Sequence, residues 1–552
     1  MADHKSNSPW RNGFFLLFVF ATFISNTGTW LFNVAASWLM TDLGGSALSV
    51  SLVQTANLLP LVLLAVPAGT LGDLGDRRKI LLVTQGVLIG VNVAFAYLVQ
   101  IDAVTPGWLL FFTLLNGAGA AICAPLLSAI IPQMVSRDNL STAMSIGGIS
   151  FNSARALGPI LCGWLILRYG MALPFWIDAA SFAAVVAVIY FWSDDRHKDG
   201  DLPPRVFQFA MGDSLRFLRY TPALYNSVIR AVLFFLGAGA LWALLPLVAK
   251  EQLGGDAGAY GRLVGAVGLG AVVTGVVYDR IANLIGGSNR LTVSMGFGFA
   301  VALALLPLTP SLWYAYPVAF FAGACWQLTF TSLISSTQYS LPKWFGVRGM
   351  AYYFMAMGLS LAAGSALWGW LADVFSLAIA HYVAAGTCVV TALVGRAFPL
   401  DQARGADLSA FTKYPTVNIP AGQGEDPGGM LLFENSYVIA KEKAKELSTR
   451  LLKLRNKRYR SGALRWHLYQ PANLTVKEDA DGRFEQEGEN KQASPDDNEV
   501  TMVETYAEIK YTALERHDER ITQVDQEALQ EFQEWLEQGG GRCSQRVFEE
   551  VG

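Results

Sequence analysis

The stretch AVPAGTLGDLGDRRK, residues 65–79, leaves a long apolar run and ends with two aspartates and three basic residues within seven positions. Similar apolar runs lie on both sides of it. The chain has 552 residues, of which 53% are hydrophobic and 15% are charged, and charged residues are rare in most of the region before Arg396. A helix that spans a bilayer needs about 20 mostly apolar residues. The distribution therefore predicts an α-helical polytopic membrane protein followed by a soluble tail.

Apolar runs long enough to cross a bilayer occur twelve times before the tail. Basic residues of the short loops and span ends fall mainly on one side of the predicted bundle, and that side is normally cytoplasmic. We therefore expect a multi-pass protein of the bacterial inner (plasma) membrane with both termini in the cytoplasm. The N-terminal segment MADHKSNSPWRNG has no small-residue cleavage site, so we expect no removable signal peptide. The predicted spans are residues 12–40, 47–71, 79–100, 107–130, 140–167, 172–192, 223–249, 258–280, 290–308, 313–337, 347–371 and 376–396.

Two sequence patterns of the first half of the membrane region recur in the second half. AVPAGTLGD, residues 65–73, recurs as AVVTGVVYD, residues 271–279. ARALGPILCGWL, residues 154–165, recurs at the same offset as SLAAGSALWGWL, residues 360–371. Internal similarity of this kind is typical of repeated structural units. The twelve predicted transmembrane helices therefore form two six-helix repeats, which commonly enclose a substrate site near the middle of the membrane.

Composition divides the chain into five segments. The residues that follow Arg396 are rich in Gly, Pro and polar side chains, which is typical of a linker. The predicted segments are an N-terminal six-helix bundle at residues 1–192, a central cytoplasmic loop at 193–222, a C-terminal six-helix bundle at 223–396, a linker at 397–426 and a small cytoplasmic α+β domain at 427–552.

The tail alternates strand and helix patterns in the order β-α-β-β-α-β, which is the ferredoxin-like arrangement. Its histidines, His467 and His517, do not form a catalytic pattern, and the five cysteines of the chain form neither a disulfide framework nor a metal motif. We therefore expect no enzyme activity, no cofactor and no metal. The predicted strands are residues 430–439, 463–470, 499–509 and 545–551, the predicted helices are 441–458 and 511–537, and the acidic stretch 477–498 is a predicted hairpin excursion.

Several of these motifs resemble one transporter family. GTLGDLGDRRK, residues 69–79, resembles the signature of the major facilitator superfamily between its second and third helices, although Leu74 and Asp76 replace the usual arginine and glycine. RALGPILCG, residues 155–163, resembles the fifth-helix motif of antiporters in that superfamily. Residues 12–396 are similar to the bacterial exporters related to enterobactin exporters, called transmembrane secretion effectors. The tail resembles the dimeric α/β-barrel domain appended to this subfamily, which implies a homodimer formed through the tail.

The acidic and basic residues of the opening stretch form a candidate conformational latch. Charge-assisted hydrogen bonds between Asp73 and the cations Arg77 and Arg78 are strong enough to bias a two-state motion. The family resemblance implies that Asp73 braces an outward-open state, and the repeat places Asp279 at the matching position. The alternative is that the cations only follow the positive-inside rule.

Charged residues inside predicted spans form a candidate proton-coupling site. Arg155 aligns with Leu361 in the repeat, so the helix does not require it for folding, and an arginine inside a membrane needs a partner. Asp178 in the sixth span is the candidate partner, and Arg230 in the seventh is a competing cation. In the functional interpretation Asp178 binds and releases a proton while the two arginines tune it. A static buried pair is the alternative.

Small and polar residues predict where helices approach and where a cavity lies. Gly158, Pro159 and Gly163 form the fifth-helix motif, which the resemblance associates with a seal in one state and which simple helix packing also explains. Polar residues at helical spacing on the first two spans predict an inward-facing lining, and aromatic and amide side chains of the second half are added to it. The candidate cavity residues are Asn26, Trp30, Asn33, Gln54, Asn57, Trp242, Trp326 and Gln327.

These features favour a secondary active transporter that exports a bulky amphipathic small molecule, such as a siderophore, drug or secondary metabolite, by proton-coupled alternating access. Its expected partners are that substrate, protons and the lipid bilayer, with no nucleic acid. The sequence contains no nucleotide-binding P-loop pattern, so direct use of ATP is not expected. Two alternatives stay open: a membrane-anchored regulatory or enzymatic module whose cytoplasmic domain is the active part, and a passive channel or uptake facilitator.

Overall fold

The computed structural model divides the chain into two compact units. The first consists of Met1–Gly200, Asn226–Tyr339 and Val347–Gln402, and the second of Asp201–Tyr225, Ser340–Gly346 and Ala403–Gly552. The structure describes residues 12–74, 76–135, 140–192, 217–342, 346–400, 430–461, 463–469, 476–478, 484–486, 499–509 and 523–549.

The first half of the membrane region is helical, and polar residues begin several of its helices. The Asn12 side chain accepts a hydrogen bond from the backbone N–H of Phe15, and Thr105 caps its helix in the same way ahead of Pro106. Such caps satisfy backbone donors that the first helical turn leaves open. The helices are α1 (Gly13–Asp42), α2 (Ala47–Leu74), α3 (Arg77–Gln100), α4 (Pro106–Met134), α5 (Leu140–Tyr169) and α6 (Leu173–Phe191).

The second half repeats this pattern with one short additional helix. Its helices are α7 (Pro222–Leu247), α8 (Ala257–Val276), the short α9 (Tyr278–Ile285), α10 (Ser288–Leu305), α11 (Leu312–Tyr339), α12 (Gly346–Val374) and α13 (Leu377–Val394). A π-helical turn, Val248–Gln252, extends α7.

Eleven helices in the described parts of the chain are long and apolar enough to cross a membrane. This is one fewer than the twelve crossings that the sequence predicts. Among the long helices of the membrane unit, α5 is the one outside this group. It has 30 residues and includes the polar side chains of Asn152 and Arg155. These two residues lower its mean hydropathy, whereas its length is ample for a crossing.

Glycines allow close helix contacts in this unit. A Cβ atom at Gly117 of α4 would collide with the backbone of Asn57 in α2, and one at Gly323 of α11 would collide with the backbone of Val267 in α8. Small residues are the usual means by which membrane helices approach, because lipid provides no hydrophobic drive for association.

The described elements of the second unit are β1 (Met430–Ala440), α14 (Ala444–Ser461), β2 (Arg465–Tyr469), β3 (Val476–Glu478), β4 (Phe484–Gln486), β5 (Glu499–Ile509), α15 (Gln523–Gln538) and β6 (Arg542–Glu549). Four of the strands form an antiparallel sheet with the order β2-β5-β1-β6, and β3 and β4 form a separate two-stranded pair. Alternate residues of β1 and β5, including Phe433, Tyr437 and Tyr506, pack with Leu451 and Phe532 of the helices.

The observed elements agree with most of the expected pattern of the tail. The strands predicted at 430–439 and 499–509 and the helix predicted at 441–458 occupy nearly the expected positions. The last strand begins at Arg542, earlier than predicted. The acidic stretch includes β4 and the last residues of β3, while the start of the predicted helix 511–537 lies outside the described residues.

Candidate functional site

Five of the predicted site residues meet between the two halves of the membrane unit. Arg155 on α5 lies over the ring of Trp242 on α7, with 5.7 Å between the guanidinium carbon and the ring centroid. Its Nη1 atom donates a hydrogen bond of 3.3 Å to Oε1 of Gln327 on α11. Trp242 also contacts Trp30 of α1 and Trp326 of α11, at centroid distances of 6.3 and 5.6 Å. We call these five residues the Arg155 cluster.

The Arg155 cluster draws on both sequence repeats. Trp30 and Arg155 come from the first half, whereas Trp242, Trp326 and Gln327 come from the second. Trp30, Trp242 and Gln327 are partly buried, whereas Arg155 has only 8% of its surface exposed. A site of this composition offers one fixed positive charge within aromatic and amide groups.

Asp178 is buried with neither carboxylate oxygen hydrogen-bonded to a described residue. It faces α1, where a Cβ atom at Gly28 would lie 2.9 Å from Oδ1 of Asp178 and would also collide with Ser181. The structure therefore does not form the predicted pair of Asp178 with Arg155. The physical reason is helix rotation: α6 turns Asp178 toward α1, while α5 turns Arg155 toward Trp242 and Gln327.

Arg230, the predicted competing cation, is likewise not paired with Asp178. Its guanidinium donates to the side-chain oxygen of Asn289 and, at 3.4 Å, to the backbone oxygen of the same residue. Arg230 is 3% exposed and packs beside Gly395. An amide and a carbonyl therefore hold Arg230 at the start of α10.

The fifth-helix motif packs α5 against α1 and α8. A Cβ atom at Gly158 would lie 2.7 Å from Cβ of Trp30, and one at Gly163 would lie 2.7 Å from the backbone oxygen of Ala257. The backbone oxygen of Pro159 lies so close to Gly261 of α8 that a side chain there would not fit. The motif therefore brings backbones of the two halves into contact.

The structure describes only part of the predicted latch. The side chain of Asp73 lies outside the described residues, Arg77 is the first residue of α3, and Asp279 is exposed in the first turn of α9. Arg78 donates to the backbone oxygen of Tyr190 at the end of α6 and lies 5.7 Å from the centroid of its ring.

Asp76 has a local role that the sequence did not predict. Its side chain caps α3 by accepting a hydrogen bond from the backbone N–H of Lys79, and this bond lowers the pKa of the Asp76 carboxyl. An acidic cap is favourable at the positive end of a helix dipole. The aspartate that replaces the usual glycine of the signature thus begins the third helix.

The remaining predicted cavity residues lie on α1 and α2. Asn26 and Asn33 of α1, and Gln54 and Asn57 of α2, are all partly buried. They are not among the contacts of the Arg155 cluster described above, and their role as a lining stays a prediction.

Two contacts that sequence reasoning missed connect the halves at one end of the bundle. Lys250, in the π-helical turn after α7, donates to Oδ1 of Asp42 at 2.7 Å and to the backbone oxygen of Thr41 at 2.9 Å. Asp373, near the end of α12, accepts hydrogen bonds from the backbone N–H groups of Ala47 and Leu48 at 2.6 and 3.0 Å. The only sequence signal was the position of Lys250, an exception to the distribution of basic residues.

The tail contains a different kind of polar cluster, centred on Glu504. This carboxylate is fully buried and accepts hydrogen bonds from Trp466 at 2.8 Å and from Asn435 and Tyr437 at 2.9 Å each. Arg458 adds two longer bonds of 3.3 and 3.4 Å. Burial alone would raise the pKa of Glu504, but the Arg458 charge and these hydrogen bonds hold that pKa below its usual range.

His467, the histidine that the structure describes in the tail, is not among the hydrogen-bond donors to Glu504. His467 is exposed on β2 beside the ring of Tyr469, and His517 lies outside the described residues. Because the donors around Glu504 already occupy both of its oxygens, the cluster has the character of a structural core.

The model of one protein family, described as transmembrane secretion effector, matches residues 4–478. The chain belongs to this family. It is therefore a multi-pass membrane transporter of the major facilitator type. Among curated relatives, it is 21% identical to the staphyloferrin A transporter of Staphylococcus aureus over 52% of this chain and 72% of that protein. It is 28% identical to the multidrug efflux pump Tap of Mycolicibacterium fortuitum over 40% of this chain and 55% of that pump.

Solved structures support the same fold for this family member. The nucleoside transporter NupG aligns with a TM-score of 0.56 and 12% identity over 70% of this chain and 99% of that one. A bacterial homolog of the human lysosomal transporter Spinster, in an inward-facing and unoccupied conformation, aligns with a TM-score of 0.52 and 15% identity over 71% of this chain and 97% of that one. At these identities the likeness concerns the fold alone.

Proposed function

We propose that the protein is a secondary active exporter that moves a bulky amphipathic small molecule across the membrane by alternating access. The observation that carries this proposal is the Arg155 cluster, in which both halves contribute side chains to one site. Transporters built from repeats place their substrate at such an interface and expose it by moving one half against the other. The multidrug efflux pump and the staphyloferrin A transporter among the relatives support transport of a small molecule.

The contacts at one end of the bundle support an alternating mechanism. Lys250 with Asp42, and Asp373 with the start of α2, are electrostatic contacts that water can replace when the halves separate. With both termini in the cytoplasm, as the distribution of basic residues predicts, this end is the external one. We therefore assign this conformation to the inward-facing state.

The same orientation requires an even number of crossings, with α5 as the twelfth. Its length and its contacts with α1 and α8 favour this assignment, although Arg155 and Asn152 make it less apolar than its neighbours. The proposed organisation is then two six-helix bundles at 1–192 and 223–396, joined by the loop 193–222 and followed by the linker 397–426 and the tail 427–552.

Asp178 is the proposed proton-binding group. A carboxylate that is buried without a hydrogen-bonding partner is costly when charged, so protonation offers it a means of neutralisation. Asp73, Arg77 and Arg78, with Asp279 at the matching position of the repeat, are proposed to form the latch of the opposite, outward-open state.

The tail is proposed to be a ferredoxin-like domain that pairs into a homodimer. The order β-α-β-β-α-β and the sheet order β2-β5-β1-β6 support this fold. The core residues described above lie on one face of the sheet, and the other face includes the exposed Leu432 and Tyr469. Two such faces are suited to contact each other.

Transport by inverted membrane vesicles tests the proposed function. Vesicles that contain the protein are given candidate siderophores, drugs and lipid-like metabolites, with and without a pH gradient, and uptake is compared with vesicles that lack the protein. We expect gradient-dependent uptake of at least one amphipathic compound. Equal uptake with and without the gradient would favour a passive facilitator, and no uptake of any class would favour the regulatory or enzymatic module.

A further inference from the structure

The positive charge of Arg155 has few partners for a side chain so deeply buried. Its one hydrogen bond is the 3.3 Å contact from Nη1 to Gln327, and its Nε atom is buried without a hydrogen-bonding partner among the described residues. None of the ion pairs in the described parts of the chain includes Arg155. Within the described parts of the chain the guanidinium therefore faces a neutral amide and the ring of Trp242, and no anion.

An arginine in this situation is expensive in a membrane protein. Placing the charge at the centre of a bilayer is costly unless the side chain finds a partner in protein or water. Neutral hydrogen-bond acceptors recover only part of this cost, because the strong partners of a guanidinium are carboxylates and other oxyanions that accept two parallel hydrogen bonds. The carboxylate of Asp178 does not fill this role, since it faces Gly28 on α1.

The orientation of the Gln327 side chain leaves part of the Arg155 guanidinium available for a further hydrogen bond. The amide nitrogen of Gln327 donates to Oγ1 of Thr331 at 3.0 Å, so the amide oxygen is turned toward Arg155. A single neutral oxygen positions the guanidinium while leaving its Nε donor open. Trp242 supports the guanidinium from one side and packs edge-on against Trp326.

We propose that Arg155 binds an anionic group, a carboxylate or a similar planar oxyanion, on the molecule that the protein exports, while Trp30, Trp242 and Trp326 pack against the apolar part of that molecule. This inference rests on the proposed function and narrows it to amphipathic anions. The anion supplies the negative charge that none of the described residues places beside Arg155. The tryptophans supply contact area, because aromatic rings bury a large apolar surface.

A ligand series with one aromatic body tests this assignment on the purified full-length protein. Naphthoate, naphthamide and naphthylmethylammonium differ in the charge of a single group, and acetate carries the anion without the ring. Their affinities at neutral pH are measured by equilibrium dialysis, with quenching of tryptophan fluorescence as a second readout. We expect naphthoate to bind about tenfold more tightly than naphthamide, because a charge-assisted bidentate contact exceeds a neutral one by roughly this factor.

Variants of Arg155 and Arg168 test which arginine causes the preference for naphthoate. In Arg155→Gln the preference for naphthoate over naphthamide is expected to disappear. Arg155→Lys keeps the positive charge and is expected to keep part of this preference. Arg168→Gln removes an exposed charge in the last turn of α5 and is expected to behave as the wild type. A monodisperse elution profile in size-exclusion chromatography shows that a variant is folded. If Arg155→Gln is not folded, Arg155→Lys provides the test.

The outcomes separate this inference from the function on which it rests. Equal affinities of the wild type for the three naphthyl ligands, tighter binding of the cation, or a naphthoate preference that survives in Arg155→Gln would overturn the anion site. Binding of acetate as tight as that of naphthoate would overturn the role of the tryptophans. If vesicles export a neutral or cationic compound while naphthoate shows no preference, the exporter assignment stands and the anion site falls.

Discussion

Buried charges in the two units of this protein have opposite surroundings. Glu504 in the tail receives hydrogen bonds from Trp466, Asn435 and Tyr437 and forms an ion pair with Arg458. In the membrane unit, Asp178 has no hydrogen-bonding partner among the described residues, and Arg155 has one long bond and an open Nε atom.

This difference distinguishes a buried charge that stabilises the fold from one that is available for transport. A buried charge that serves the fold must be matched within the fold, because an unpaired charge in a low-dielectric interior destabilises the protein by several kcal/mol. A buried charge that serves transport must be open to a proton or a substrate for part of the cycle. Glu504 meets the first condition, while Asp178 and Arg155 are the residues that we propose meet the second. The predictions below measure this contrast, beginning with the largest expected effect.

Substitution of Glu504→Gln is expected to destabilise the tail strongly. The change leaves Arg458 buried without its counter-charge, and breaking a buried pair in this way typically costs about 3–5 kcal/mol. Urea unfolding of the fragment 427–552, followed by circular dichroism, measures the loss.

The exposed pair of Glu446 and Arg450 in the same tail provides the matched control. Nε and Nη2 of Arg450 both donate to Oε1 of Glu446, one helical turn earlier on α14. Exposed pairs of this spacing contribute only about 0.3–0.5 kcal/mol, so Glu446→Gln is expected to unfold close to the wild type. Equal losses of unfolding free energy in Glu504→Gln and Glu446→Gln would contradict the structural role assigned to the buried Glu504.

In the membrane unit, Asp178→Asn is expected to affect transport and spare stability. The substitution removes a carboxylate that has no hydrogen-bonding partner in the described parts of the chain, so the melting temperature of the purified protein is not expected to fall. Driven efflux requires a group that binds and releases protons, and we expect it to decrease by about tenfold or more, a typical effect of losing proton transfer by one side chain. Exchange of substrate without a gradient is expected to continue.

The outcomes for Asp178→Asn discriminate between three roles. Loss of driven efflux with retained exchange supports proton coupling. Equal loss of both, together with a lower melting temperature, would identify Asp178 as structural, and undiminished driven efflux would exclude it from the mechanism.

The stability of the tail is expected to depend on pH through Glu504. Because its pKa is held low in the folded tail, ionised Glu504 stabilises the fold above the unfolded pKa of about 4.3, and this contribution disappears as the pH falls through the lower folded value. The difference in unfolding free energy between wild type and Glu504→Gln should therefore shrink between neutral pH and about pH 3. A constant difference over this range would show that Glu504 is not ionised in the fold.

The smallest effect is expected for Lys250→Gln. Lys250 and Asp42 are paired but partly exposed, with 36% and 41% of their side-chain surfaces accessible. Such pairs contribute about 0–1 kcal/mol, so the melting temperature of the purified protein should change little. A large drop would indicate that the contact stabilises the whole fold and not one conformation of it.

Much of this arrangement could be predicted from the sequence, because it depends on local pattern. The cost of an arginine in an apolar span identified Arg155, and helical spacing selected Trp30. Trp242, Trp326 and Gln327 were selected as aromatic and amide side chains within predicted spans. In the tail, alternation of apolar residues gave the order of strands and helices. Glu504 was not identified, since its partners are distant in sequence and converge only when β1, β2 and β5 pair.

The errors concern how helices rotate against one another. Arg155 and Asp178 were paired because they lie on consecutive spans, but the sequence does not specify which face of α6 turns toward α1. That rotation depends on close approach at Gly28. The contact between Lys250 and Asp42 joins the two halves of the chain, and no local pattern predicts a contact of such long range.

The most direct test of the account compares Arg155→Gln with Arg168→Gln in driven efflux from inverted vesicles, using a substrate that the wild type transports. Arg155 lies in the site shared by both halves, whereas Arg168 is exposed at the end of the same helix. We predict that Arg155→Gln lowers the initial rate by about tenfold or more without lowering the melting temperature, and that Arg168→Gln transports as the wild type does. Wild-type efflux by a folded Arg155→Gln protein would contradict the account.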